Sequence, residues 1–438
     1  MTTVLDDVHA LDGISRRLAD RDRRFVARPT TRIPLAVRSG EGAHLIDEDG
    51  RRVLDLTSGW NVANAGWNHP RIVAAVVEQA KELAFAPPWC THDARSRVAE
   101  RLSGMLSTAS GVDGEFKALS GATGSEAVEA ALKVARRATG RQATVGFTEA
   151  YHGGTLGALQ AGGVPQVQGV DVPTSQFHRH APIPDMLRAN GRDYAALVRE
   201  ALLSGPPPAA ILLEPAFTNP GVIHGDREFY QAVQAAAREA GALLIIDEVG
   251  TGFGRMGHTF GFEHWGLQPD IVVVAKALTS GAVPMAGALM RSELADAVSG
   301  PGFSSTFGWV PLACAAATAS LDVLEDEQLA LRARHLGELA LERLRPLVDA
   351  HSSIAAVRGI GLELGIEFTD ESGDPLPRPP METLTRRLLQ RGIFAEPSAY
   401  TSTLLLMPPL VIDEAEWLGA LDTIAEQIGE MAEAGEFA

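Results

Sequence analysis

Short, nearly unbroken apolar runs alternate with helix-like stretches from about Pro70 to Val310. A run of four or five apolar residues without polar alternation suits a strand covered on both faces, as in a parallel sheet flanked by helices. The clearest runs are Ala210 to Leu213, Leu243 to Ile246 and Ile271 to Ala275, and Ala143 to Phe147 has the same texture. Between the first two, Asp226 to Ala240 predicts a helix, which makes a βαβ unit of ordinary length. After Pro311 the pattern lengthens into Ala/Leu/Glu-rich helices to about Ala350. A strand over Ile360 to Glu367, a Pro-rich loop at Pro375 to Pro380 and a terminal helix from Asp413 follow. The expected fold class is α/β: a large, mostly parallel sheet domain over residues 66–310 and a smaller α+β domain over 311–438. The N-terminal segment, 1–65, is expected to join the small domain. A chain of 438 residues exceeds the usual limit of one core, which agrees with two.

Composition narrows the function. Apolar residues make up 45% and charged residues 21%, the balance of a soluble globular protein, and no stretch is apolar for long enough to span a bilayer. Met1 to Asp22 lacks the basic start and apolar centre of a signal peptide, so a cytoplasmic location is expected. The net charge of −17 argues against nucleic acid as a partner and is compatible with a cationic ligand. Cys90 and Cys314 are too few for a disulfide framework and are read as small buried hydrophobes. No His and carboxylate spacing suggests a metal. Gly252-Phe253-Gly254 and Gly359-Ile360-Gly361 do not link a strand to a helix, as a dinucleotide fingerprint requires.

The chain has four lysines, Lys81, Lys117, Lys133 and Lys276, which shortens the search for a catalytic amine. The first three lie in stretches expected to be solvated. Lys276 follows Ile271-Val272-Val273-Val274-Ala275, at the carboxyl end of a buried strand, where open α/β sheets bind ligands. A partly desolvated amine there has a lowered pKa and becomes nucleophilic. Asp247 ends Leu243-Leu244-Ile245-Ile246 in the same way and can hold a ring nitrogen protonated, although a strand-end Asp is as often a cap or turn former. Thr123-Gly124-Ser125-Glu126 opens an Ala-rich helix whose amides and dipole could cradle a phosphate; the plain alternative is an N-cap. Tyr151-His152-Gly153-Gly154 puts an aromatic ring at another strand end, where it could stack on a flat ligand or simply form a loop.

Asp247-Glu248-Val249, Thr251-Gly252-Phe253-Gly254-Arg255, Glu263-His264, Pro269-Asp270 and Lys276 resemble, in order and spacing, the cofactor-lysine signature of class III aminotransferases. The resemblance extends through Gly124-Ser125-Glu126-Ala127, Tyr151-His152-Gly153, Glu214-Pro215, Ser305-Thr306-Phe307-Gly308, Arg358-Gly359 and Pro408-Pro409-Leu410. It covers nearly the whole chain from about Ile33. It implies the type I fold of pyridoxal-5′-phosphate (PLP) enzymes, with a seven-stranded sheet, and Lys276 holding PLP as a Schiff base and shuttling the substrate proton. It further implies that Asp247 binds the pyridinium, that Val249 and Tyr151 flank the ring, and that Gly124 and Ser125 bind the phosphate. His152 and Glu214 complete the cofactor set, and Thr306 reaches the phosphate of a second subunit, so the active unit is a homodimer with shared sites.

Departures from the family pattern bear on substrate. Gly250 stands where the family often has Gln. Phe217-Thr218 replaces Gln-Gly, and Trp309-Val310 replaces Gly-Asn. Leu405 and Glu396 occupy the two slots where family members place an arginine for a substrate carboxylate. Glu396 would pair with a cation if it pointed into the pocket; otherwise it faces solvent. Trp60 falls where related enzymes line the pocket, with Trp89 nearby, the plain alternative for each being core or interface. The reading that follows is an aminotransferase moving an amino group from an amine or amino acid to an aldehyde or keto acceptor in two half-reactions, on a substrate that can lack a carboxylate. A PLP aminomutase or epimerase could use the same residues, and a non-catalytic binding protein could keep the fold.

Overall fold

The structure, a computed structural model, describes residues 13–27, 33, 35–165, 177–185 and 191–437. The beginning of the N-terminal segment, 1–12, on which much of the signal-peptide reading rests, lies outside the described residues. A seven-stranded sheet forms the centre, in the order Phe116–Gly121, Ala286–Arg291, Ile271–Val274, Leu243–Asp247, Pro208–Leu213, Ala143–Phe147, His178–Ala181. Ala286–Arg291 pairs antiparallel with both of its neighbours and the other pairings are parallel, so six strands end at one edge.

The unbroken apolar runs have the cause expected of them. Ile211, Leu213, Leu244, Ile246, Val272 and Val274 pack into one core cluster, whereas Ala210, Leu212, Ile245, Ile271 and Val273 pack into another. Alternate residues of a strand point to opposite faces, so both faces are covered and no position is left for a polar side chain. The helix Gly124–Thr139 lays Ala127, Val128, Ala131 and Val134 against the second face. Its small residues let helix and sheet approach closely. Asp226 caps the helix Arg227–Ala240 by accepting from the amide of Phe229 at 2.8 Å.

Two four-stranded sheets complete the fold. In one, Val37–Glu41, His44–Asp47 and Arg52–Asp55 are joined by Ile393–Phe394, which runs parallel to Arg52–Asp55. N-terminal and C-terminal chain are thus hydrogen-bonded together. In the other, Ile354–Ile360, Glu363–Phe368, Thr403–Leu406 and Glu396–Pro397 are antiparallel.

Three expectations need correction. Ile360 to Glu367 is not one strand: Ile360 pairs with Glu363 across a turn at Gly361 and Leu362, with Gly361 at φ +60°. A glycine in an apolar run marked the reversal. The Pro-rich stretch is partly helical, because Pro379 and Pro380 fall in the first turn of Arg378–Gln390, where missing amide donors do no harm. Cys314 is buried, but Cys90 is exposed; it lies in a turn, its amide bonded to the carbonyl of Pro87, and not on a buried face.

The turn at Gly361 is gripped from two sides. A Cβ on Gly337, in the helix Leu329–Leu344, would stand 1.9 Å from the Gly361 carbonyl oxygen. A Cβ on Gly361 would meet the carbonyl oxygen of Arg255 at 2.5 Å. Both contacts are backbone on backbone and cannot be relieved by a rotamer change. Gly337→Ala is therefore expected to destabilise the protein by about 1–3 kcal/mol, measured as a shift in the denaturation midpoint. Gly104→Ala, where a Cβ meets nothing within 4 Å, serves as the control and should leave the midpoint unchanged or raise it.

Candidate active site

The carboxyl ends of the sheet open onto a cavity of about 360 Å³. Five of the six strand ends contribute residues to it. Gly124 and Ser125 arrive after Phe116–Gly121, Tyr151 and His152 after Ala143–Phe147, and Glu214 and Thr218 after Pro208–Leu213. Asp247, Val249 and Gly250 follow Leu243–Asp247, and Lys276 follows Ile271–Val274. The fold thus brings together eight of the nine residues expected to hold the cofactor.

Lys276 has φ +45°, in the left-handed region, which sets it apart from the strand that carries it. Burial pushes its amine pKa down, while the carboxylates of Asp247, Glu363 and Glu214 pull it back in part. More of it is therefore neutral, and able to act as a nucleophile, than of a free lysine. The other three lysines lie on exposed positions.

Asp247 is 4% exposed. Its Oδ1 accepts from the Val249 amide at 3.0 Å, and its Oδ2 from His152 Nδ1 at 2.7 Å. Burial alone would lower the pKa of His152, yet the hydrogen bond and charge of Asp247, with Glu214 behind it, leave it raised. His152 thus orients Asp247. Glu214 accepts from the Tyr151 amide at 3.2 Å; burial pushes it up to about 7, Asp247 adding to the rise and His152 and Lys276 opposing it.

At the start of Gly124–Thr139, both readings of the motif hold. Thr123 Oγ1 accepts from the Glu126 amide at 3.3 Å, and Glu126 Oε2 accepts from the Ala122 amide at 2.7 Å, a reciprocal cap. The amides of Gly124 and Ser125 remain at the helix start, where no preceding turn supplies an acceptor. Glycine is needed beside them, since a Cβ at Gly153, φ +125°, would stand 2.1 Å from Ser125 Oγ.

Behind the cavity lies a buried charged group that sequence reasoning did not pick out. The guanidinium of Arg255 is fully buried and donates to the carbonyls of Leu362 (2.9 Å) and Pro408 (2.7 Å), to Ser58 Oγ (2.9 Å) and to Asn64 Oδ1 (2.7 Å). Its Nε lies 4.0 Å from Glu363, itself fully buried, whose carboxylate accepts from Asn61 Nδ2 (2.8 Å) and Thr218 Oγ1 (2.6 Å). Burial pushes Arg255 down to about 10 and raises Glu363. A glutamate next to the turn in the otherwise largely apolar stretch Leu362 to Phe368 was the available signal. Gly250 borders this group: a Cβ there would stand 3.5 Å from Thr218 Oγ1 and 3.7 Å from Asn61 Nδ2.

The substrate candidates separate. Trp60 lines the cavity and donates from Nε1 to Glu396 Oε2 at 2.9 Å, so Glu396 is half-buried and not the solvent-facing loop glutamate of the plain reading. Leu405, the cross-strand partner of Glu396, is fully buried in an apolar cluster against which Trp60 packs, and it does not line the cavity. Trp89 is 82% exposed and also does not line it. Thr306 is exposed and outside this cavity. Of the departures nearby, Thr218 faces the cavity, whereas Phe217 turns into the core against Phe147 and Trp309 donates to the Ala286 carbonyl at 2.7 Å.

The model of the family described as aminotransferase class-III matches residues 25–428. The chain belongs to this family. The acetylornithine aminotransferase of Archaeoglobus fulgidus is 33% identical over 91% of this chain and 96% of its own. The 5-aminovalerate aminotransferase of Pseudomonas aeruginosa is 33% identical over 91% and 94%. Among solved structures, an amine transaminase from an uncultivated Pseudomonas species, with PLP bound, superposes with a TM-score of 0.84 at 30% identity, over 93% of this chain and 97% of that one. This class III aminotransferase is a PLP-dependent enzyme that transfers an amino group between an amine and a keto substrate, on the α/β fold of its class. The cavity fits that cofactor. It offers a buried amine, a strand-end carboxylate and a helix start, with the bare Cα of Gly124 leaving a side of the cavity to Val249, whose Cγ1 a Cβ there would approach to 3.2 Å.

Removing one partner of a buried ion pair strands the other charge. Arg255→Met is expected to destabilise the enzyme by about 3–5 kcal/mol. In the double variant Arg255→Met, Glu363→Met much of that loss should be recovered, read from denaturant melts of single and double variants.

Proposed function

We propose that Lys276 is the residue that bonds to PLP and carries the proton to and from the substrate carbon. The single observation that supports this is the placement of Lys276 and Asp247 on adjacent strand ends of one cavity, beside the start of Gly124–Thr139. When bound, the cofactor supplies an electron sink and a carrier for the amino group between the half-reactions. The protein does the rest. Lys276 would meet the cofactor's aldehyde as a neutral amine, its pKa lowered by burial. Asp247, held by the Val249 amide and His152, keeps the ring nitrogen protonated. Gly124 and Ser125 take the phosphate. Val249 and Tyr151 flank the ring, and Glu214, near its own pKa at neutral pH, anchors the loop of Tyr151.

The active unit in this proposal is a homodimer, supported by the exposure of Thr306 outside its own cavity, which leaves it free to complete a partner's phosphate site. A cytoplasmic enzyme is part of the same reading; among the described residues no helix is long and apolar enough to cross a membrane. So is a division into 66–310 around the cavity and 311–438 joined by 1–65, supported by the pairing of Ile393–Phe394 with Arg52–Asp55.

Borohydride reduction followed by peptide mass spectrometry is expected to place the cofactor on Lys276. An adduct on Lys81, Lys117 or Lys133 would overturn the assignment. Lys276→Ala should lose the adduct, keep its circular dichroism, and lose at least about 10²-fold in kcat for want of its proton carrier. Sedimentation at assay concentration should find the active, PLP-loaded species as a dimer; a fully active monomer would contradict the shared site.

A further inference from the structure

We propose that Glu396, which stands behind the cavity-lining Trp60 and accepts from its indole, recognises a positive charge at the far end of the amino donor, so that the preferred donors are diamines and related cations. This rests on the reading of the Lys276 cavity as the site of transamination.

Charge inside the cavity is the first support. Its charged lining consists of Glu214, Asp247 and Lys276, with His152, and no arginine is present among the described lining residues. A donor carboxylate entering this space meets carboxylates and no guanidinium fork, leaving its desolvation uncompensated. A donor ammonium meets the opposite situation.

Glu396 is the second. One of its oxygens accepts from Trp60 Nε1, and among the described residues none of its oxygens has a lysine, arginine or histidine nitrogen within 4 Å. A carboxylate partly shielded from water gains from a cationic partner. Burial raises the pKa of this one; the indole hydrogen bond opposes the rise and Asp55 adds to it. An ammonium brought by the substrate would satisfy the free lone pairs.

The third is rigidity. Glu396 is fixed by antiparallel pairing with Leu405, and Trp60 packs on the cluster that contains Leu405, Met256 and Met407. Trp60 itself is held at φ +64° after Gly59 at φ +63°, a conformation that a tryptophan keeps only where surrounding contacts impose it. Trp60 and Tyr151 both line the cavity, so a cation approaching Glu396 also passes aromatic faces, which attract it.

The test follows the visible band of the PLP-loaded enzyme as it is converted by three donors that differ only at the far end: 1,5-diaminopentane, pentylamine and 5-aminopentanoate. The diamine is expected to exceed both others in kcat/KM by at least about tenfold, the effect of one charge-assisted hydrogen bond. In Glu396→Gln, which can still accept the indole hydrogen bond, the diamine-to-pentylamine ratio should fall about tenfold, through KM. Preference for 5-aminopentanoate in the unmodified enzyme overturns the proposal. So does an equal loss on diamine and pentylamine in the variant, the mark of a residue that only seats Trp60. If none of the three donors converts the band, the assignment of the cavity to amino donors fails, and the charge preference with it.

Discussion

The guanidinium of Arg255 is fully buried, and a buried charge persists only where hydrogen bonds replace its water. Four acceptors from three stretches of chain do so here: Ser58 and Asn64, Leu362, and Pro408. None of these stretches can move away without stranding the charge, so the N-terminal segment, the hairpin at Gly361 and the loop before the terminal helix are bound to the loop that follows Asp247. That loop is closed from within by Glu248, which accepts from Thr251 Oγ1 and from the amides of Gly261 and Phe262. Both ends of one short segment are fixed, and it carries Asp247, Val249 and Gly250 into the cavity between them.

Around Lys276 two electrostatic effects oppose each other, and desolvation is the larger. Desolvation favours the neutral amine, and three carboxylates favour the ammonium. The carboxylates are themselves separated in character. Asp247 receives one amide and a histidine, Glu363 an arginine at a distance and two neutral donors, and Glu214 little but one amide, with burial pushing it up to about 7. A site with a single lysine and several acids can therefore hold a reactive amine without carrying every acid ionised.

Much of this was legible along the chain because strand ends are legible. Apolar runs located Pro208–Leu213, Leu243–Asp247 and Ile271–Val274 to within two residues, and the polar residue that stops each run is where the sheet meets the cavity. Phe116–Gly121 and Ala286–Arg291 were harder, the first for its exposed Lys117 and the second for its small residues, which carry little periodicity. The contacts that shape the pocket beyond the cofactor were not legible. Trp60 and Glu396 are 336 residues apart, and Arg255 and Leu362 are 107 apart. No local pattern joins them; what joins them is the strand pairing of the two small sheets, visible only when folded. The hairpin at Gly361 failed for a related reason, since one continuous apolar run served two antiparallel strands.

Gly250, Thr218, Asn61 and Glu363 form a closed set. The space beyond the Cα of residue 250 is bordered by Thr218 and Asn61, and those two hold the carboxylate that balances Arg255. A side chain at 250 would pack against both donors at once, and a shorter one at 218 or 61 leaves a buried acid under-bonded. Changes at these four positions are therefore physically coupled, because they share one space and one set of donors. Epistasis here is a matter of volume and proton donors, and transplanting any one of the four residues from a relative will carry a meaning that depends on the other three.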